Sequence, residues 1–278
     1  MRAKNVRALG AAVVLVFAGT TLAGGTGSGG PGTVTDGPSS YTYFGAGTNG
    51  RAVWVPGGLV SGSQLFESWW FYRASNQSRE YSFAQGVPNT TNYTGNVATF
   101  TGDESDANVA DGDEQAGLTW TMTWTVTSGD IAQLQSTLSV TNTTDEPITL
   151  NMFHYGDVDL NGNLSDSAFV NGNGDIIIQD TGSPGVSIAY AAQNASSFQI
   201  EVQDDLLELL NDDGITNLDN QNNVTDPADF SAGFQWVDVI LQPGETEDFV
   251  IGFSIIPAPG AAALFGLAGL SGVRRRRS

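Results

Sequence analysis

The most specific candidate for chemistry in this sequence is the acidic run Asp157-Val158-Asp159-Leu160-Asn161-Gly162-Asn163. It reproduces the first half of a D-x-[DN]-x-[DN]-G calcium loop, in which carboxylate and amide oxygens bind the cation. The twelfth position of such a loop is Ala168 instead of glutamate, so the run is not an EF-hand. The calcium interpretation assigns four ligands: Asp157, Asp159, Asn161 and Asp166. The alternative is plain turn chemistry, because Asp, Asn and Gly are common turn residues.

The strand that precedes this run predicts where its aspartates lie. Between positions 148 and 160, the even positions carry Ile148, Leu150, Met152, Val158 and Leu160, together with His154 and Gly156. Asp157 and Asp159 are therefore expected on the opposite, solvent-facing side, about 6.6 Å apart along the strand. Two like carboxylates at this spacing repel each other, and a hard cation would relieve the repulsion. His154 falls on the apolar side and is interpreted as a hydrogen-bonded core residue.

A second candidate is the segment from Gln64 to Phe83, which combines aromatic and charged residues. Trp69 and Trp70 are candidate carbohydrate contacts, because flat indole faces can stack on sugar rings. The alternative is a pair of core strands whose arginines neutralise neighbouring acids. Adjacent strand residues face opposite sides, so at most one of the two tryptophans is expected in the core.

The signal for catalysis is weak. Glu67 and Glu80 could act as a glycosidase pair, but any two of the 30 acidic residues could be nominated in the same way. The absence of cysteine excludes thiolate nucleophiles, disulfides and zinc–cysteine sites, and a single histidine excludes multi-histidine metal sites. The chain is therefore predicted not to be an enzyme.

The charge is concentrated in the body of the chain. Between Gly24 and Pro257 there are three arginines, no lysine and all 30 acidic residues, a net charge of −27. Phosphate backbones and anionic membrane surfaces repel such a body. Nucleic-acid binding is therefore excluded, and tolerance of high salt is expected.

Residues 1–23 have the layout of a secretory signal peptide. The segment from Arg2 to Arg7 is basic, Leu9 to Phe17 are apolar, and Thr21-Leu22-Ala23 has small residues at the −3 and −1 positions of a cleavage site. Cleavage by signal peptidase is predicted between Ala23 and Gly24. The alternative, an uncleaved anchor, needs about 20 apolar residues and finds fewer here. Residues 24–40 are rich in Gly, Ser, Pro and Thr and are predicted to be a flexible leader.

The last 22 residues have three parts. Pro257-Ala258-Pro259-Gly260 stops the final predicted strand, and the uncharged segment from Ala261 to Val273 follows it. The chain then carries Arg274, Arg275, Arg276 and Arg277. Thirteen residues as a helix span about 20 Å, less than the hydrocarbon core of about 30 Å. Transient insertion is therefore expected rather than permanent anchorage.

This tail, residues 257–278, resembles the PEP-CTERM sorting signal, with Ala258 where that motif has glutamate. The resemblance implies export by the Sec machinery, brief retention in the inner membrane and processing by an exosortase-like enzyme. It also implies association with the cell envelope or the exopolysaccharide matrix. It implies nothing about the activity of the body.

The body is predicted to be built of β-strands. Trp120, Met122, Trp124 and Val126 alternate with threonines, which is the period of a half-buried strand. The same alternation continues through Leu134, Leu138 and Val140. The other predicted strands are 41–44, 52–55, 148–160, 175–179, 186–191, 198–202, 233–241 and 249–256, and one short helix is predicted over 204–210. Gln242-Pro243-Gly244-Glu245 is predicted to close a hairpin between the last two strands.

These short strands, together with 35 glycines, favour an all-β fold over residues 41–256. We predict an antiparallel β-sandwich of the jelly-roll-like or Ig-like kind, with further helices only in the signal peptide and the tail. The alternative is a pair of domains divided at the acidic segment 102–117. The function predicted from these observations is a non-catalytic structural or adhesive protein of the cell surface or matrix, with polysaccharide as candidate partner. A carbohydrate-binding module is the alternative, and an extracellular glycan-active enzyme is third.

Overall fold

The computed structural model describes residues 30–45, 51–58, 60, 62–83, 90–104, 117–162, 164–181, 186–202, 205–224 and 227–257. The predicted signal peptide, its cleavage site at Ala23 and Gly24, and the tail from Ala258 to Ser278 lie outside these ranges. Most of the acidic segment 102–117 does too. Within the described ranges, no helix has the length and apolar character needed to span a bilayer.

The described residues form an antiparallel β-sandwich, which confirms the predicted fold class. The strands are β1 (Gly32–Asp36), β2 (Ser39–Tyr43), β3 (Ala52–Val55), β4 (Glu67–Ala74), β5 (Tyr81–Ser82), β6 (Thr90–Thr94), β7 (Val97–Asp103), β8 (Leu118–Thr127), β9 (Gln133–Asn142), β10 (Ile148–Asp157), β11 (Asp166–Val170), β12 (Ile176–Asp180), β13 (Val186–Ala192), β14 (Ser197–Val202), β15 (Gln221–Asn222), β16 (Phe230–Leu241) and β17 (Thr246–Pro257). A short helix, α1 (Asp205–Asn211), follows β14.

Two large sheets face each other. The first, here called the large sheet, has the order β11-β12-β13-β17-β9-β8-β7-β6. The second sheet has the order β15-β14-β16-β10-β4-β5, and β1-β2-β3 form a third, small sheet. Neighbouring strands are antiparallel except for the short parallel pair β14–β15. The layers meet through aromatic side chains, such as Trp70 of β4, whose indole N–H donates to Ser136 Oγ of β9 at 3.0 Å.

Strand burial follows the predicted alternation in the large sheet but not in the second sheet. In β8 the even positions are buried and the intervening threonines are partly or fully exposed. β4 is buried along its whole length, and β10 nearly so. On the face that points away from the large sheet, α1 packs against β14 and β16, and Arg73 of β4 bonds the segment at 216–217. At Gly233 an added Cβ would lie 3.0 Å from Leu206 of α1, so glycine permits this close packing.

The turn at Gln242-Pro243-Gly244-Glu245 does not close a hairpin, and that prediction is wrong. β16 pairs with β10 and β14 in the second sheet. β17 pairs with β9 and β13 in the large sheet. The turn therefore carries the chain from one layer to the other. A local turn sequence specifies the reversal of the chain, but not which strand each arm pairs with.

The predicted flexible leader also differs from the structure. Gly32–Asp36 and Ser39–Tyr43 pair with each other as β1 and β2, so residues 32–40 belong to the folded domain. Val34 and Tyr41 are buried, and the Tyr41 ring stacks on Trp124 of β8 with centroids 5.0 Å apart. These strands contain few apolar residues, and the composition of the segment, rich in Gly and Ser, therefore predicted a flexible leader.

Candidate metal centre

Three carboxylates meet where β10 ends. Asp157 is the last residue of β10, Asp159 lies in the segment that follows, and Asp229 directly precedes β16. One carboxylate oxygen of each lies within 4.8 Å of the others. Asp157 is buried, whereas Asp159 and Asp229 are partly exposed. We call these three residues the carboxylate cluster.

The pairing of the second sheet produces this convergence. β10 lies between β4 and β16, and Asp157 is paired directly with Glu67 on one side and Ser231 on the other. Directly paired residues point to the same face of a sheet, so acidic groups of β4 and β10 are neighbours. Asp229 is two residues before Ser231, which places it beside the end of β10. Segments 70 residues apart thus contribute to one small volume.

Asp166, the first residue of β11, lies next to this cluster. An isolated bridge pairs it with Ala228, the neighbour of Asp229. Its Oδ2 accepts the backbone N–H of Leu160 at 3.0 Å, while its Oδ1 is buried and accepts no hydrogen bond from the described residues. A buried acceptor without a partner costs about 1–3 kcal/mol. A cation is one group that would offset this cost.

The electrostatics of the site favour a positive charge. Burial raises the pKa of Asp159 to about 6, and the charge of Asp229 acts in the same direction. Burial also raises the pKa of Asp166 to about 7. The N–H of Leu160 opposes this rise, whereas the charges of Asp180, Asp159 and Asp229 add to it. These carboxylates therefore disfavour one another's ionised forms, and a bound cation would remove that conflict.

Three of the four predicted ligands lie in or beside the cluster. Asp157 and Asp159 belong to it and Asp166 is adjacent. The expectation that Asp157 faces solvent is wrong, because the residue lies between Glu67 and Ser231 in the sheet with Asp159 and Asp229 beside it, and it is buried. Asp159 lies beyond the end of β10, so the spacing along a strand does not apply to the pair.

Asn161 is directed elsewhere. Its Nδ2 donates to Asp180 Oδ2 at 2.8 Å, and its Oδ1 accepts from Gln64 Nε2 at 3.3 Å. The residue has a φ of 57°, a left-handed conformation that asparagine tolerates better than most residues. Asp229 takes the place that the sequence pattern had assigned to Asn161. Nothing local in the sequence indicated Asp229, since only the pairing of β16 with β10 brings it here.

The available donors are all oxygens, which narrows the choice of metal. The chain has no cysteine, and its one histidine is fully buried in the sandwich core. Zinc and copper sites rely on such nitrogen and sulfur ligands. Ca²⁺ binds six to eight oxygens in flexible geometry, whereas Mg²⁺ requires a nearly octahedral arrangement. Carboxylates gathered from irregular segments therefore suit Ca²⁺ best.

The two tryptophans predicted as carbohydrate contacts are both buried, so that prediction is wrong. Trp70 points into the interface between the sheets, where its ring packs on His154 and Trp236. Trp69 stacks on Tyr43 of the small sheet, and its N–H donates to the carbonyl of Phe83 at 3.3 Å. The expectation that one of them is exposed fails because both faces of β4 are covered.

Glu67 and Glu80 are not a glycosidase pair. Register between β4 and β5 places Glu80 opposite Arg73, six residues along β4 from Glu67. That separation is about 20 Å, at about 3.3 Å per residue. Glycosidase carboxylates lie about 5–9.5 Å apart. Glu80 instead forms a buried ion pair with Arg73, which confirms the core-strand interpretation of this segment.

His154 is a core residue, as predicted. Its Nε2 lies 3.1 Å from Ser68 Oγ, and its Nδ1 lies 2.5 Å from the hydroxyl of Tyr190. Ser68 Oγ donates to the carbonyl of Tyr155 at 3.2 Å, so it accepts from a protonated Nε2. The Tyr190 hydroxyl lies 2.5 Å from Nδ1 and 3.3 Å from the carbonyl of His154, and its single proton is shared between these two acceptors when the ring is neutral. Burial lowers the pKa of His154 well below its ordinary value.

We expect this histidine to make the protein less stable in acid. The unfolded chain gains a proton on His154 below pH 6.5, whereas the folded chain does not, so the stability is complete above that pH and falls below it. Below pH 6.5, the free energy of unfolding decreases by up to about 1.4 kcal/mol per pH unit. Urea unfolding between pH 8 and pH 5 measures it, with His154→Gln as reference because the carboxylates are common to both proteins. Equal pH dependence in the two would contradict the prediction.

Comparisons with known proteins bear on the fold. No protein-family model matches the sequence, and no curated protein matches it. Among solved structures, a polysaccharide lyase is similar, with a TM-score of 0.47 and 10% identity over 82% of this chain and 34% of that one. An aldose 1-epimerase from Escherichia coli K12 has a TM-score of 0.49 and 11% identity, over 84% of this chain and 100% of that one. An aldose epimerase homologue from C. elegans has a TM-score of 0.45 and 10% identity, with the same coverage.

This finding corrects the prediction that the chain is not an enzyme. The similar structures are named as epimerases and a lyase, which are enzymes, so the prediction is withdrawn, and no activity is assigned to this chain from them. The chain spans about a third of the polysaccharide lyase. At identities of 10–11% and TM-scores below 0.5, these similarities assign neither a family nor an active-site residue to this chain.

Proposed function

We propose that this chain is an exported calcium-binding β-sandwich protein of the cell envelope or extracellular matrix. The observation that carries the proposal is the convergence of Asp157, Asp159 and Asp229 within 4.8 Å beside the buried carboxylate of Asp166. Export by a signal peptide cleaved at Ala23 is part of the proposal. So are transient retention through the arginine cluster Arg274 to Arg277 and processing between Pro257 and Gly260.

The position of the site suggests what calcium does for the fold. Asp157 and Asp229 belong to the second sheet or its border, whereas Asp166 begins β11 at the edge of the large sheet. A cation bound among them connects the two layers at one end of the sandwich. It also neutralises part of the charge of a body with 30 acidic and three basic residues. Calcium is therefore proposed to stabilise the domain after export, where sites of extracellular modules have dissociation constants of about 10⁻⁴–10⁻³ M.

A calcium-dependent rise in the melting midpoint is the expected result. At a free calcium concentration about 100 times the dissociation constant, binding stabilises the folded state by about 2.7 kcal/mol. For a domain of this size that corresponds to a rise of about 5–10 °C. The measurement compares calcium, magnesium and chelator at constant ionic strength. Calcium should raise the melting midpoint more than magnesium does, because the irregular oxygen cluster does not impose octahedral geometry.

Two variants of equal charge separate a specific site from general screening. Asp159→Asn with Asp229→Asn removes two cluster carboxylates and should abolish the calcium-dependent rise. Asp145→Asn with Asp219→Asn removes two exposed carboxylates outside the cluster and should leave the rise intact. Equal midpoints in calcium and in chelator would contradict the proposed function, as would a rise that survives in the cluster variant.

A further inference from the structure

Beside the carboxylate cluster, the surface carries two exposed aromatic rings with an arginine between them. The guanidinium of Arg51 lies over the ring of Phe66, 4.8 Å from its centroid, and over that of Phe44 at 5.6 Å. The two phenylalanines are 41% and 43% exposed. We call Phe44, Arg51 and Phe66 the aromatic–arginine patch.

Backbone hydrogen bonds tie the patch to the cluster. The N–H of Phe66 donates to the carbonyl of Asp157 at 3.0 Å. The carbonyl of Phe66 accepts from Ala52, and the N–H of Phe44 donates to the carbonyl of Arg51. All three patch residues are therefore held by the same framework that positions Asp157. The patch and the cluster lie at one end of the sandwich.

Arg51 differs from the two other arginines of the body. Arg73 is buried in an ion pair with Glu80, and Arg79 pairs with Asp213 at 3.5 Å. Arg51 is exposed and forms no ion pair with any carboxylate of the described residues. A guanidinium stacked on aromatic rings keeps its N–H edge open to a ligand. An isolated bridge pairs Arg51 with Glu67, which is buried, whereas Arg51 itself is exposed and offers a cationic group to solvent.

We propose that the aromatic–arginine patch binds a carboxylate-bearing sugar of an acidic polysaccharide, assisted by the neighbouring calcium. The part played by calcium rests on the function proposed above. The planar guanidinium matches a carboxylate with two parallel hydrogen bonds. Phenyl rings provide apolar faces on which the C–H faces of a sugar ring can pack. Asp159 and Asp229 are partly exposed, so a cation bound there has coordination positions for sugar oxygens.

Charge distinguishes this ligand from its alternatives. A neutral sugar would make no use of the charge on Arg51. An anionic membrane would face a wide area of a body that carries 30 acidic residues, and that area repels it. A single polysaccharide chain touches only the end of the sandwich where Arg51 and a calcium bound by the carboxylate cluster offer cationic contacts. Repulsion elsewhere is screened within about 10 Å at 0.1 M salt.

The test is calorimetric titration of the full-length protein with short polygalacturonate oligomers in the presence of calcium. Dextran oligomers of the same length are the neutral probe and should bind at least tenfold more weakly. Arg51→Gln should weaken polygalacturonate binding about 10- to 100-fold, the factor expected for loss of a charge-assisted hydrogen bond. Phe66→Leu should weaken it by a smaller factor, because it removes the ring but keeps an apolar side chain.

Arg79→Gln is the matched control. Arg79 also lies over an aromatic ring, that of Tyr81 at 4.7 Å, but it is paired with Asp213. Its removal makes the same change of charge and should leave the affinity unchanged. Equal affinity in wild type and Arg51→Gln, equal loss in Arg51→Gln and Arg79→Gln, or equal binding of the two sugars would each overturn the inference.

The failure of this inference is distinguishable from failure of the calcium site. Calcium alone raises the melting midpoint if the cluster binds it, whether or not sugar binds. A calcium-dependent rise without polygalacturonate binding therefore contradicts the patch and leaves the calcium function standing. Polygalacturonate binding that requires Arg51 but is unchanged by chelator supports the patch and contradicts the part assigned to calcium.

Discussion

Replacing Arg73 with methionine is expected to lower the free energy of unfolding by about 3–5 kcal/mol, the cost of leaving a buried charge without its partner. Arg73 donates to Glu80, to the carbonyl of Thr216 at 2.6 Å and to Asn217 Oδ1 at 2.9 Å. These bonds attach the segment after α1 to β4. Burial raises the pKa of Glu80, because it outweighs the opposing effects of the Thr216 N–H and the Arg73 guanidinium.

A double variant shows whether charge is the cause. Arg73→Met with Glu80→Leu removes both charges and should recover part of the stability lost in the single variant. The pair of the partly exposed Arg79 and the exposed Asp213 provides the comparison, and Arg79→Met should leave the urea midpoint close to that of the wild type. Single and double variants of equal stability would show that the loss comes from packing and hydrogen bonds to the segment at 216–217, not from an uncompensated carboxylate.

Trp70→Ala is expected to destabilise the protein by about 3–5 kcal/mol, the range for truncation of large aromatic core residues. The side chain is fully buried and contacts both layers. Its ring centroid lies 4.6 Å from that of His154 and 5.5 Å from that of Trp236, and its N–H bonds Ser136 in the opposite sheet. Truncation leaves a cavity at the centre of the interface and an unpaired serine hydroxyl.

Trp70→Phe keeps an aromatic ring and loses the N–H donor, so its free energy of unfolding should lie between those of the wild type and Trp70→Ala. It also provides a measurable protein if the alanine variant fails to fold. Phe169→Ala truncates a ring that is 44% exposed on β11. It should lower the free energy of unfolding much less than Trp70→Ala does. Urea unfolding, followed by near-ultraviolet circular dichroism, measures all three. A loss in Trp70→Ala no larger than in Phe169→Ala would contradict the position assigned to Trp70.

Elements with a clear local pattern of polar and apolar residues could be predicted from the sequence. The alternation of Trp120 to Val126 matches β8, and the predicted strand 52–55 matches β3 at both ends. The helix predicted over 204–210 agrees with α1 to within one residue at each end. Each of these patterns reports on neighbours along the chain, so the amino-acid order is sufficient to show it.

The candidate site was predictable only in part, for the same reason. Asp157 and Asp159 are close in sequence, and turn chemistry with paired carboxylates indicated an oxygen site there. Asp229 was not indicated, because it reaches the cluster only through the pairing of β16 with β10. Asn161 fitted the sequence pattern, yet the fold directs its amide to Asp180.

The sequence by itself determined the all-β class, the short helix, the charge of the body and the location of an acidic loop, because each follows from composition or local periodicity. Only the tertiary structure decided which strands share a sheet and what covers each face. It buried both Trp69 and Trp70, turned an expected hairpin into a crossing between layers, and placed Arg51 between two exposed rings. These outcomes depend on contacts between residues far apart in the chain, and such contacts leave no periodic trace in the sequence.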